Sequence, residues 1–172
     1  MNDEQQPALP IRVHGHPNHE TVLLWHPAVP EGDTRITDLA ARIANRGKRV
    51  VEPTWHDGRD LLRSLRYARE TAVHPPDDLT LVGYDEAAVA ALAMAVHQRR
   101  LGVGLTEVAC IGGREADDPI SGQPLPESPP PPRVATTLTF VAGSAAAWTR
   151  RTAEAWKSAG WPVELAETDQ FT

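Results

Sequence analysis

Apolar and polar residues along this chain fall into short blocks, some with the spacing of a strand and some with that of a helix. "TVLLWHP" (21–27) is a compact apolar run stopped by Pro27, a strand by its length and β-branching. "TRITDLAARIANRG" (34–47) sets Ile36, Leu39, Ala40 and Ile43 on one helical face, with Gly47 suited to the C-terminal cap. "KRVVEPTW" (48–55) is the next strand. "DGRDLLRSLRYARET" (57–71) spaces Leu61, Leu62, Leu65 and Ala68 as a helix, with Asp57 as its N-cap. "DDLTLVG" (77–83) reads as a strand, and "DEAAVAALAMAVHQRR" (85–100) as a helix apolar nearly all round, which predicts deep burial. "LTEVACIGG" (105–113) and "ATTLTFVAG" (135–143) are strands. "AAAWTRRTAEAWKSAG" (145–160) is a helix ending at Gly160, and "WPVELAE" (161–167) a last strand.

Strand and helix alternate, with connections short enough for crossover units. The fold class that follows is α/β: a three-layer α/β/α sandwich with helices on both faces of a mainly parallel sheet. Residues 1–10 are expected to form a flexible tail and 11–172 a single domain, long enough to bury a core. One stretch breaks the alternation. "GGREADDPISGQPLPESPPPPR" (112–133) is rich in proline and has no apolar period, so a solvent-exposed loop of polyproline character is expected. Its place after a strand end would also suit a lid or a docking segment.

The junction "LVGYDEAAVA" (81–90) carries the most chemistry. An apolar strand runs into Gly83, a sharp turn and an alanine-rich helix, in the pattern Gly-x-Asp-x-Ala. A strained strand-to-helix turn needs small residues on either side of its tip, and Gly83 and Ala87 supply them around Asp85. With the order of the segments from residue 20 to 171, this turn resembles the nucleophile elbow of the α/β-hydrolase family in its small esterase-like form, here reduced.

That resemblance implies positions for a catalytic triad, and three of them are altered. The nucleophile position falls on Asp85 rather than serine. The oxyanion loop falls on Trp25-His26-Pro27-Ala28, where Pro27 has no N–H to donate; the N–H of Glu86 remains. The acid should follow "TLTFVAG", but "GSAAAW" holds no carboxylate. The histidine position falls on Gln170, which cannot act as a base. A serine nucleophile needs a base in reach and an orienter behind it, so ordinary ester hydrolysis is not expected.

Two readings of Asp85 follow. In the first the chain is a degenerate, hydrolase-like protein that keeps a pocket and binds a small molecule or a protein. The expected pocket residues are Trp25, Ala28, Tyr84, Glu86, Ser144 and Trp148, and Asp85 itself then serves as an N-cap to the helix after it. In the second Asp85 is an active centre, with His26 or His56 at neighbouring strand ends activating water for hydrolysis or moving a proton for isomerisation.

"HGHPNH" (14–19) resembles the zinc motif of metallo-β-lactamases, with Asn18 in place of the aspartate. It stands before the first core strand, so a polar turn is expected there and no metal. Trp25 and Trp148 are also read as core aromatics, Ser144 as an N-cap, and Cys110 as a buried small hydrophobe. The net charge of -6, without a basic stripe, does not favour a nucleic-acid partner, and none is expected. No apolar run is long enough to cross a membrane, and the polar start lacks a leader pattern, so a cytoplasmic setting without a membrane partner is expected. No cofactor is expected. The family's terminal helix has no counterpart before Thr172, and the apolar surface it would otherwise cover suits a homo-oligomer or another protein partner.

Overall fold

The computed structural model describes residues 8–73, 75, 78–132, 136–143 and 146–167. In chain order the elements are β1 (Ile11–His14), β2 (Glu20–Trp25), α1 (Arg35–Asn45), β3 (Lys48–Pro53), α2 (Gly58–Glu70), β4 (Leu79–Tyr84), α3 (Ala87–His97), β5 (Leu105–Ile111), β6 (Thr137–Ala142), α4 (Ala147–Ser158) and β7 (Val163–Glu167). The strands form one sheet in the order β1-β3-β2-β4-β5-β6-β7. β1 runs antiparallel to β3, and the other neighbours are parallel. The expected α/β sandwich is therefore present.

Local signals place most of these elements. Gly47 takes φ +82° just past α1, and its N–H closes the helix onto Ala44 O at 3.0 Å. The Asp57 carboxylate accepts from Asp60 N–H at the start of α2, an N-cap worth about 0.5–2 kcal/mol. In α3 every residue from Ala87 to Ala95 is buried, as its all-round apolar sequence requires. β1 is not among the elements expected from the sequence: it has only four residues, Ile11 and Val13 alternating with Arg12 and His14, and it pairs with β3.

The helices divide unevenly between the two faces. Among the described residues, α2, α3 and α4 share one face, over a core of 24 buried residues, against 9 on the face that α1 covers. The loop of residues 112–132 is largely exposed and free of helix and strand, as expected, but it is anchored at a few points on the crowded face. The Asp118 side chain, 2% exposed, accepts from the N–H groups of Ile120 and Ser121 at 2.9 and 3.1 Å. Ile120 and Leu125 pack on the core, and Trp161 donates its indole N–H to Pro129 O at 2.8 Å. At the start of α2 the backbone of Pro119 and Ile120 lies so near Gly58 that an added Cβ would come within 2.6 Å of Ile120 Cα. The segment is a strap, with side-chain burial and hydrogen bonds replacing the helix that would otherwise join β5 to β6.

Candidate functional site

The turn between β4 and α3 is built by close approach. A Cβ on Gly83 would lie 2.6 Å from Ala87 O and 2.8 Å from Ala88 Cα, so only glycine fits there. Asp85, at the tip, takes φ +54° and is the one non-glycine residue with positive φ among the described residues. Such a conformation costs about 1–2 kcal/mol in an L-residue. Two hydrogen bonds hold it: Asp85 N–H donates to Ile111 O at 2.8 Å, and Ala88 N–H to Asp85 O at 3.1 Å. Asp85 is not the helix cap. That position belongs to Glu86, whose side chain makes no capping bond. Among the described residues none hydrogen-bonds to the Asp85 carboxylate, and the Glu86 N–H has no acceptor. The exposed Glu86 carboxylate is ion-paired with Arg114 from the strap.

A charged cluster stands beside the tip on the α1 face. Arg35, at the start of α1, grips Asp33 through Nε and Nη2 at 2.6–3.1 Å. Its hydrogen bonds hold the Asp33 carboxyl down at about 2. The guanidinium is favoured in turn by Asp33 and by the negative charge available to Tyr84 and Asp85. Burial pushes the Tyr84 phenol up, against the pull of Arg35. Arg35 is thus a cation whose field reaches Asp85 across the end of β4.

The two histidines expected to serve Asp85 are placed differently. His26, 9% exposed, donates Nδ1–H to Pro27 O at 2.7 Å, and its Nε2 faces Glu52 Oε2 at 3.4 Å. His14 Nε2 meets the other oxygen of Glu52 at 3.2 Å. Glu52 is therefore a half-buried carboxylate between two imidazoles. Burial raises its pKa, but hydrogen bonding and charge from His26 and His14 outweigh that and lower it overall. Trp55 locks the same loop by donating its indole N–H to His26 O at 2.7 Å. His56 is exposed, and its backbone N–H is taken by Asp60. Among the described residues no imidazole hydrogen-bonds to Asp85.

The described residues among those expected to line the pocket differ in burial. Trp25 is fully buried, its indole N–H on Ser64 Oγ at 2.9 Å. Tyr84 is 8% exposed, Ala28 is exposed, and Ser144 lies outside the described residues, as does Gln170. Trp148 packs against Gly113 and lines a separate cleft of about 720 Å³ between α4 and the strap, with Glu115, Asp117, Leu125, Arg151 and Trp156. In the "HGHPNH" stretch the His16 and His19 rings lie 5.3 Å apart while His14 turns to Glu52. Among the described residues no group of histidine, cysteine or acidic side chains is arranged to hold a metal, and no helix is long and apolar enough to cross a membrane. Cys110 is buried beside Ala88 O, and burial pushes its thiol up.

Sequence reasoning missed Glu52, Arg35, Asp33 and Arg114. Glu52 had a signal, as the one acid in "KRVVEPTW", but its partners are supplied by strand order. Arg35 and Asp33 lie in the turn before α1, in a pattern common to any helix start.

No family model matches this chain, and no curated protein matches it. Solved structures do. An arylesterase superposes with a TM-score of 0.70 at 12% identity, over 94% of this chain and 71% of that one. An α/β hydrolase enzyme from a Medee basin deep-sea metagenome library gives 0.69 at 12%, over 95% and 77%. A Bacillus cereus carboxylesterase gives 0.61 at 13%, over 94% and 85%. At these identities the likeness is one of fold: the chain has the α/β-hydrolase architecture in a small form.

Proposed function

We propose that this α/β-hydrolase-fold chain is a binding protein without ordinary ester hydrolysis, its triad lost, and that its ligand docks at the Asp85 turn. The observation that supports this most is the state of Asp85. It is held in a costly backbone conformation, with its carboxylate hydrogen-bonded to no described residue and in the field of Arg35. Strain of this kind persists where surrounding structure imposes it, and it clusters at sites of function. The tip offers a carboxylate acceptor and the Glu86 N–H donor, with Arg35 nearby. A small molecule or peptide group that carries both a hydrogen-bond donor and an acceptor fits that set. The reading of Asp85 as a nucleophile served by His26 finds less support, because the His26 ring is engaged with Pro27 and Glu52.

The test is a panel of esters, lactones and epoxides offered to the wild type, Asp85→Asn and Asp85→Ser. In parallel, a small-molecule library is screened by thermal shift. The expected result is no turnover by the wild type and a ligand shift that Asp85→Asn abolishes. Wild-type hydrolysis that disappears in Asp85→Asn would overturn the proposal in favour of an Asp85-centred enzyme.

A further inference from the structure

Of the five tryptophans in the chain, three donate their indole N–H groups within the fold: Trp25 to Ser64 Oγ, Trp55 to His26 O and Trp161 to Pro129 O. Trp148 and Trp156 donate to none of the described residues. These two line the same cleft, between α4 and the strap. Trp156 is 1% exposed, and a buried indole N–H ordinarily has an acceptor. Its nitrogen is not sealed in the core, and the cleft is where an acceptor reaches it.

Charge around the cleft is one-sided. Glu115, Asp117 and Glu127 line it, against Arg151 alone. None of the three carboxylates pairs with a cation among the described residues. Nor are they arranged to hold a metal ion. They stand apart around an opening of about 720 Å³, the size of a small-molecule site. Leu125, Ala155 and the Trp148 ring supply an apolar wall. Gly113 lets that ring settle against the strap, since a Cβ there would lie 2.5 Å from Trp148 Cζ3.

We propose that this cleft binds a small organic cation: a protonated amine with an apolar body and a hydrogen-bond-accepting oxygen. The carboxylates take the ammonium, which the indole face of Trp148 also favours. The apolar body lies against Leu125 and Ala155, and the oxygen accepts from the free indole N–H groups. A neutral ligand leaves the carboxylates unused, and an anion is repelled by them. The cleft shares no residue with the ligand set proposed at the Asp85 turn, so it is a second site with its own ligand class.

The test is isothermal titration calorimetry of the full chain with three probes of one shape: tyramine, para-ethylphenol and phenethylamine. Tyramine is expected to bind. The ethylphenol lacks the ammonium and is expected to bind about tenfold or more weakly. Phenethylamine lacks the oxygen and is expected to bind about threefold or more weakly. Asp117→Asn combined with Glu127→Gln changes two exposed side chains. It is expected to lower tyramine affinity about tenfold or more, with an unchanged circular dichroism spectrum. Tyramine that does not bind overturns the proposal. So does either truncated probe binding as tightly as tyramine, or a double variant that binds tyramine like the wild type. Tyramine binding that Asp85→Asn abolishes overturns it as well, because the amine then sits at the turn.

Discussion

On one face of the sheet, α2, α3, α4 and the 112–132 strap enclose Leu61, Leu92, Phe140 and Trp156. On the other, α1 alone buries Val22, Leu24 and Val50, and leaves Thr139 and Val141 only partly covered. The difference is also chemical. The His14–Glu52–His26 cluster, the Asp33–Arg35 pair beside Tyr84, and Glu107 all belong to the thin side. The thick side supplies most of the hydrophobic stabilisation. The thin side can keep polar groups near water because so little is stacked over it. Desolvating a charge is costly, and the charged groups that the thick side does bury, Arg49 and Asp118, are each held by hydrogen bonds.

Substitutions can break this comparison, and the largest effect is expected on the thick side. Trp156→Ala, at 1% exposure, is expected to cost about 3–5 kcal/mol. Val141→Ala, on the half-covered face, is expected to cost about 1 kcal/mol or less. Urea denaturation of the two variants gives the ratio directly, and equal losses would contradict the comparison. Next comes Gly83→Ala, whose methyl meets the backbone of α3; overpacking of this kind costs about 1–3 kcal/mol or more. Chemical denaturation should register it as a lowered midpoint.

On the thin side, Glu52→Gln is expected to cost about 1–3 kcal/mol, because it leaves His14 and His26 facing an amide. The sign of its pH dependence follows from the lowered pKa of Glu52. A carboxyl lowered by folding stabilises above its unfolded value, and that contribution is lost as pH falls through the folded value. The stability gap between wild type and Glu52→Gln should therefore narrow on acidification into the carboxylate range. A gap that widens there would contradict the pairing. The smallest effect is a gain. Asp85→Gly relieves the positive φ and is expected to raise stability by roughly 1 kcal/mol. Calorimetry would detect it as a modest rise in Tm, and a fall instead would mean that the Asp85 side chain holds the turn together.

Much of the fold was legible in the chain because its signals are local. The spacing of Ile36, Leu39 and Ala40, the cap at Asp57 and the all-apolar run from Ala87 to Ala95 each fix an element by itself. The sharp turn was legible for the same reason: Gly83 and Ala87 are small where close packing demands it. The site around it was less so. Glu52 meets His14 and His26 only because β3 lies between β1 and β2, an order that no short stretch encodes. Trp25 and Trp148 suggested one pocket because both stand at element ends. Trp25 instead found Ser64 on α2, and Trp148 lines a cleft with the strap. The exposure of the strap was legible from its prolines, but its anchors were not, because Asp118 and Pro129 act through a few isolated hydrogen bonds that leave no periodic signal.

The ends of the sheet have a consequence for colloidal behaviour. β1 has four residues, with Arg12 and His14 on one face, and β7 has five, with Glu164 and Glu167 exposed. Short, charged edge strands resist extension by a neighbour's backbone. Two copies meeting at β7 would bring carboxylates together, so growth of a continuous intermolecular sheet is opposed while those groups stay ionised. Acidification removes that guard, and low pH is therefore where the chain is expected to begin forming fibrils.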